Sequence, residues 1–274
     1  RLTCYIYSSL ELFMYAWVGD PTNMLELVLY CDADLAGDRT DSKSTSGIFL
    51  CVLGPNTFVP LAALSKKQTS ISRSTPEAEI VALAQGLHKE GIPAIPLWEV
   101  LLDRKVQIRL MKDNEAACRI VITGRNPSMR HMSRTQRVDV GGLNERYANG
   151  DFSFVICPSE YQAADILTKH CVDAKIWRRN LMLIGHFVKG QLIASGALTV
   201  CAARVANSSG TLDKCAQIAG PSAETHCVAL SATSDSSTSY YNDFVKAVRP
   251  TPIFKELKCY VITDVGGQIQ SNHC

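Results

Sequence analysis

The sequence predicts an α/β fold, a mixed five-stranded sheet with helices on its faces, spanning about residues 24–186. Three observations carry this. Three β-prone runs follow one another at residues 26–31, 47–53 and 57–64 with only turn-rich segments between them. A helical period begins at Ser74. Strand-like and helix-like segments then alternate. Adjacent strands favour antiparallel pairing, and strand–helix alternation favours parallel pairing, so the sheet should be mixed.

The elements follow in order. Residues 1–20 mix aromatic and apolar side chains and stop at the turn signal Gly19-Asp20-Pro21. The run ELVLYC (26–31) ends at Asp32-Ala33-Asp34, and GIFLCVL (47–53) ends at the turn Gly54-Pro55-Asn56. The third strand, within residues 57–64 and continuing toward Ile71, contains Pro60, which implies an edge position or a bulge. Ser74-Thr75-Pro76-Glu77 is a helix start, with a hydroxyl N-cap, an early proline and an acid in the first turn. Ile80, Leu83, Ala84 and Leu87 then fall on one face, and Gly91 and Pro93 are expected to end the helix. Residues 106–111 form a strand ending before Asp113, and residues 114–123 a helix closed by Gly124. A helix over 139–149, a strand over 152–157 and a last short helix over 160–168 complete the set.

Beyond about residue 187 serine and threonine clusters appear and periodicity fades, apart from a strand-like stretch within 252–263, so this extension is expected to be partly flexible. The chain carries 11 Cys without one C-x-x-C pair, which suits free thiols better than a disulfide framework. Cys201, Cys215, His226 and Cys227 match no zinc spacing. No apolar run approaches the roughly 18 residues that span a bilayer, and Glu11 interrupts the one apolar stretch near the N-terminus. An intracellular protein, in a cytoplasmic particle or the nucleus, is therefore expected. A first residue that is not Met suggests a piece of a longer product. The formal net charge of +2 neither requires nor excludes nucleic acid.

Four acids stand at element ends: Asp32 and Asp113 after strands, Glu79 early in a helix, and Asp165 in the last short helix. Strand ends and helix starts share a sheet's rim, where side chains distant in sequence can converge. Clustered carboxylates repel one another, and divalent cations relieve that repulsion. Two Mg²⁺ ions in such a cluster can activate water against a phosphodiester. From composition alone, helix capping or a solvated loop explains the same acids.

Four blocks add a resemblance. YCDADLAGDRTDSKSTSG (30–47), LSKKQTSISRSTPEAEIVAL (64–83), KDNEAACRI (112–120) and ADILTK (164–169) resemble, in order and spacing, the ribonuclease H domain of copia-type LTR retrotransposon Pol polyproteins. The resemblance implies the ribonuclease H-like fold over residues 24–186 and Asp32, Glu79, Asp113 and Asp165 as metal ligands and catalytic residues. It also implies two Mg²⁺ or Mn²⁺ ions and cleavage of the RNA strand of an RNA–DNA hybrid during reverse transcription. Residues 1–23 resemble the end of the preceding reverse-transcriptase region, which would make that domain a partner; a cut overhang is the plain alternative. Asp34 and Glu77 border the site as structural groups. Leu35 replaces the family's tryptophan, Ile80 its aromatic, and Gln136-Arg137 its Lys-His pair, none of which removes a metal ligand.

Segment 124–137 concentrates Arg125, Arg130, Arg134 and Arg137 with His131 and contains no acid, which suits phosphate contact. Lys66 and Lys67 are a second basic pair that could reach phosphates or simply solvate a strand end. His88 and His170 read as structural or exposed. Two rivals remain: a catalytically decayed transposon remnant that at most binds nucleic acid, and another carboxylate-dependent nuclease of the same fold, such as an integrase or junction resolvase.

Overall fold

The structure, a computed structural model, describes residues 2–38 and 40–188, apart from the side chain of Leu2. The strand-like stretch at 252–263 and the Cys/His group at 201–227 lie outside the described residues. The chain opens with helix α1 (Leu2–Ser8) and strand β1 (Leu12–Met14). Three long strands follow, β2 (Glu26–Asp34), β3 (Thr45–Gly54) and β4 (Thr57–Lys67). Helices α2 (Thr75–Gly86) and α3 (Ile92–Leu102) lead to β5 (Ile108–Lys112) and α4 (Glu115–Thr123). Helices α5 (Met132–Thr135) and α6 (Val140–Ala148) precede β6 (Phe152–Ile156). Helix α7 (Ala174–Leu183) and β7 (His186–Val188) complete the described chain.

The main sheet has five strands in the order β4-β3-β2-β5-β6. The first three pair antiparallel, and β5 adds parallel to both β2 and β6, so the mixed sheet expected from the element order is present. Pro60 satisfies both expectations at once. It lies on edge strand β4, and the register slips there, with Leu50 facing Ala62 while Cys51 faces Pro60.

Pleat alternation divides the core. Leu27, Leu29, Cys31, Ile48, Leu50, Ile108 and Leu110 pack with Ile80, Leu83 and Leu87 of the α2 side. Val28, Tyr30, Phe49, Met111 and Val155 point to the other face, with Ala163, Ala164 and Leu183. Helix α2 begins as its sequence dictates, with Ser74 Oγ accepting from Glu77 N. Its four expected core residues are buried, but so are Ala78, Val81 and Ala82, so it is enclosed almost all round.

Two expectations are corrected. Gly91 and Pro93 do not end the α2 helix. The chain passes through a π-helical turn (Leu87–Gly91), where Ile92 N bonds to Leu87 O, and continues as α3 to Leu102. The wide turn has already interrupted the i→i−4 ladder where Pro93 offers no N–H, which removes the usual penalty of an interior proline. Segment 160–168 is not an α-helix but two 3₁₀ turns, Ser159–Tyr161 and Ala163–Leu167, the second capped by Gln162 accepting from Ala164 N. Helices α1 and α7 and the β1–β7 pair, which joins Leu12–Met14 to His186–Val188 antiparallel, were not read from the sequence. Among the described residues no helix is long and apolar enough to cross a membrane.

Candidate active site

Asp32 is buried near the end of β2, on the same face as Val28 and Tyr30, because side chains two apart share a face. Asp113 follows β5 on the face of Met111, the same side of the sheet. The 3₁₀ turn Ala163–Leu167 packs on that face and brings Asp165. One carboxylate oxygen from each of Asp32, Asp113 and Asp165 lies within 4.8 Å of the other two. Three acids spread over more than a hundred residues thus meet at one point.

Neighbours fix each of them. Thr168 Oγ1 donates to Asp32 Oδ2, and Ser159 Oγ donates to Asp113 Oδ2 at 3.2 Å. Lys169 Nζ lies 2.7 Å from Asp165 Oδ1 and 3.7 Å from Asp32 Oδ1. Burial pushes the Asp165 carboxyl up to about 6, with Lys169 pulling the other way. Gly47, opposite Asp32 in the β2–β3 ladder, lets the turn come close: a Cβ there would stand 2.8 Å from Ala164 O. Asp113 Oδ1 is buried with no hydrogen-bond partner. An all-oxygen, partly buried donor set with an unsatisfied carboxylate oxygen fits a hard divalent cation.

Glu79 borders this group but turns elsewhere. Its Oε2 receives a hydrogen bond from Lys112 Nζ, and both side chains are buried. Burial pushes Glu79 up to about 7, with Lys112 pulling the other way. Burial also works against the ammonium, but Glu79 beside it keeps Lys112 above its ordinary value. Of the quartet read from the sequence, three residues converge and the fourth is held by a lysine that the sequence reading passed over. The signal was available: in VQIRLMKD, Lys112 shares the parity of Ile108 and Leu110, the face covered by α2. Thr168, Ser159 and Lys169 were missed as well, since they act through acids they neighbour only in space or across one helical turn.

The remaining residues have clear places. Asp34 Oδ1 accepts from Thr45 N and fixes the start of β3. Glu77 accepts from Arg73 N at 3.1 Å and meets His131 Nε2 at 3.1 Å. His131 is therefore engaged inside the protein, tying the basic loop to the first turn of α2. Gln136 strengthens that tie, donating to Ser70 O and Ser72 Oγ. Arg125, Arg130, Arg134 and Arg137 are exposed on this anchored loop. Lys67 is spent on Asp38 and on Asp41, the latter at 2.9 Å. Lys66 lies beside Lys89, whose pKa its proximity lowers. His88 and His170 are exposed.

Comparison with known proteins bears out the resemblance. Over 153 residues, 54% of this chain, the sequence is 30% identical to the retrovirus-related Pol polyprotein from transposon RE1 of Arabidopsis thaliana. The chain spans about a tenth of that relative's length, 10%. Among solved structures, LC11-RNase H1 isolated from compost aligns over 92% of its length and 52% of this chain, with 18% identity and a TM-score of 0.32. The N-terminal RNase H domain of Rv2228c from Mycobacterium tuberculosis aligns over 91% of its length and 53% of this chain, with 15% identity and a TM-score of 0.34. Scores of that size carry no weight alone, and the fold stands on its own strand order and register. No protein-family model matches the chain.

Proposed function

We propose that this chain is a metal-dependent endonuclease of the ribonuclease H type that cleaves the RNA strand of RNA–DNA hybrids during retrotransposon reverse transcription. The observation that carries the proposal is the convergence of Asp32, Asp113 and Asp165 around the unpartnered Asp113 Oδ1. The similarity to a transposon Pol polyprotein supports this substrate class and suggests a reverse-transcriptase domain as neighbour.

Asp32, Asp113 and Asp165 would hold Mg²⁺ or Mn²⁺. A divalent ion there supplies Lewis acidity, making a nucleophilic water available at neutral pH and offsetting charge on the leaving oxygen. The protein's own groups prepare the place. Thr168 and Ser159 aim Asp32 and Asp113, and Lys169 holds Asp165 and lends positive charge beside it. The exposed arginines at 125, 130, 134 and 137 sit on a loop pinned through His131 and Gln136, and they can take up backbone phosphates without the loop having to order first. Lys66 and Lys89 offer a second contact of the same kind. Lys67, already paired with Asp38 and Asp41, contributes least.

The test is cleavage of an end-labelled RNA–DNA hybrid with Mg²⁺ or Mn²⁺, alongside Asp32→Asn and Asp113→Asn. Metal-dependent cutting of the RNA strand is expected, with each variant slowed by more than about 100-fold, since even residues behind a metal ligand cost 10–100-fold. One observation favours the decayed-copy reading, namely that Glu79 is tied to Lys112. A folded wild-type chain that binds hybrid but cuts it with neither metal would establish that reading instead.

A further inference from the structure

Lys112 is the last residue of β5, and its side chain is completely buried. A strand-end lysine ordinarily carries its ammonium to water along its own methylenes. Here the parity of the strand sends it to the α2 face, where Nζ bonds Glu79 and also donates to the Cys31 carbonyl at 3.0 Å, one residue before Asp32. Glu79 is therefore committed to Lys112, beside but outside the group in which the three aspartates converge. Bringing it to a metal would strand a buried ammonium without its partner, and breaking a buried ion pair in that way is strongly unfavourable.

The charge balance agrees. The four carboxylates face two ammonium groups, Lys112 on Glu79 and Lys169 on Asp165. The remaining formal charge is that of two carboxylates, which one divalent cation neutralises. Two such cations would leave an excess of positive charge in a largely buried place.

We propose that Lys112 withdraws Glu79 from the metal site, so that this chain binds a single divalent cation on Asp32, Asp113 and Asp165 rather than the pair that the family resemblance implies. The inference rests on the reading of the three aspartates as a metal site and goes beyond it in stoichiometry and in the role of Lys112.

The experiment is titration of the full chain with Mn²⁺, followed by calorimetry and by the paramagnetic signal of free Mn²⁺. Wild type is compared with Lys112→Met and with the double variant Glu79→Gln/Lys112→Met, all checked for fold by circular dichroism. Wild type should bind one Mn²⁺ per chain. The double variant, which buries no charge at this pair, should also bind one, within about twofold of the wild-type affinity, because neither side chain is hydrogen-bonded to Asp32, Asp113 or Asp165 and the roughly 10–100-fold losses belong to groups that hold a ligand. Lys112→Met should free Glu79 and add a second bound ion or tighten the first by roughly tenfold. Two ions in wild type, or a loss of about tenfold or more in the double variant, would make Glu79 a ligand and overturn the inference alone. The double variant decides even if Lys112→Met does not fold. No binding in any folded form would overturn the metal-site reading and this inference with it.

Discussion

Thr168 stands behind Asp32, and its hydroxyl is what the Asp32 Oδ2 oxygen receives inside the protein. Asp32 is almost wholly buried, so its carboxylate relies on such donors for hydrogen bonds and for its aim. Thr168→Val keeps the shape and removes the donor. Metal affinity and hybrid cleavage should both fall by roughly 10–100-fold, the usual loss when a ligand's supporting hydrogen bond goes. Thr168→Ser should recover most of it. If valine leaves Mn²⁺ affinity untouched, the hydroxyl serves only the turn, where it also approaches Asp165 O at 3.4 Å. The same logic separates Lys67 from the exposed arginines. A cation already holding Asp38 and Asp41 gives little to a phosphate, whereas Arg130 and Arg134 are exposed on a loop that other residues hold in place.

Between elements, the decisive approach is that of the 3₁₀ turn Ala163–Leu167 to β3. Gly47 permits it: a Cβ would stand 2.7 Å from Thr168 Cγ2 and 2.8 Å from Ala164 O, and the second atom is backbone that cannot rotate aside. Gly47→Ala should therefore push the whole turn outward, costing about 1–3 kcal/mol of stability as overpacking does. It should also weaken Mn²⁺ binding, because Asp165 and Thr168 ride on that turn. A stability loss with unchanged metal affinity would show that the turn is positioned from elsewhere. This level is also where the sequence was least legible. Strand ends announced Asp32 and Asp113, and Pro60 announced an edge or a bulge, since each feature is local. The passage from α2 into α3 was hidden because Gly91 and Pro93 carry the chemistry of a helix stop, and only tertiary packing around Leu87 and Gly91 makes the π turn worthwhile. Helix α7 has a legible cap in Asp173, but AKIWRRNLML buries only Asn180, Leu181 and Leu183, too few to mark a periodic face. Lys112 was the subtler miss: strand parity was readable, but no local rule says that a lysine will complete a buried pair with Glu79.

At the scale of the whole molecule, the described chain closes on itself. Strand β1 pairs with β7, Tyr15 N bonds Gly185 O at 2.8 Å, Tyr5 meets Trp177 edge-on at 6.1 Å, and Trp17 pairs in both directions with Phe58 of β4. The segment 2–18 is thus laid against the last described elements, which stand beside the 3₁₀ turn carrying Asp165. His186 sits in this closure, in register with Met14, and burial pushes its pKa below the ordinary value while the Ile184 carbonyl pulls the other way. The sign follows. In the fold His186 resists protonation, so as pH falls below about 6.5 the opened or unfolded chain binds the proton first and gains relative to the closed form. Stability of the closure should therefore be full above that pH and decline beneath it, through the lowered folded value. Hydrogen-exchange protection factors for residues 12–15 and 186–188, corrected for intrinsic rates, should drop between about pH 7.5 and 5.5 while those of β2 and β5 hold. In His186→Phe, which keeps the ring and removes the titration, the drop should disappear. Equal protection at both pH values in wild type would mean that His186 is not the group governing the closure. A drop that persists in the phenylalanine variant would assign it to another group.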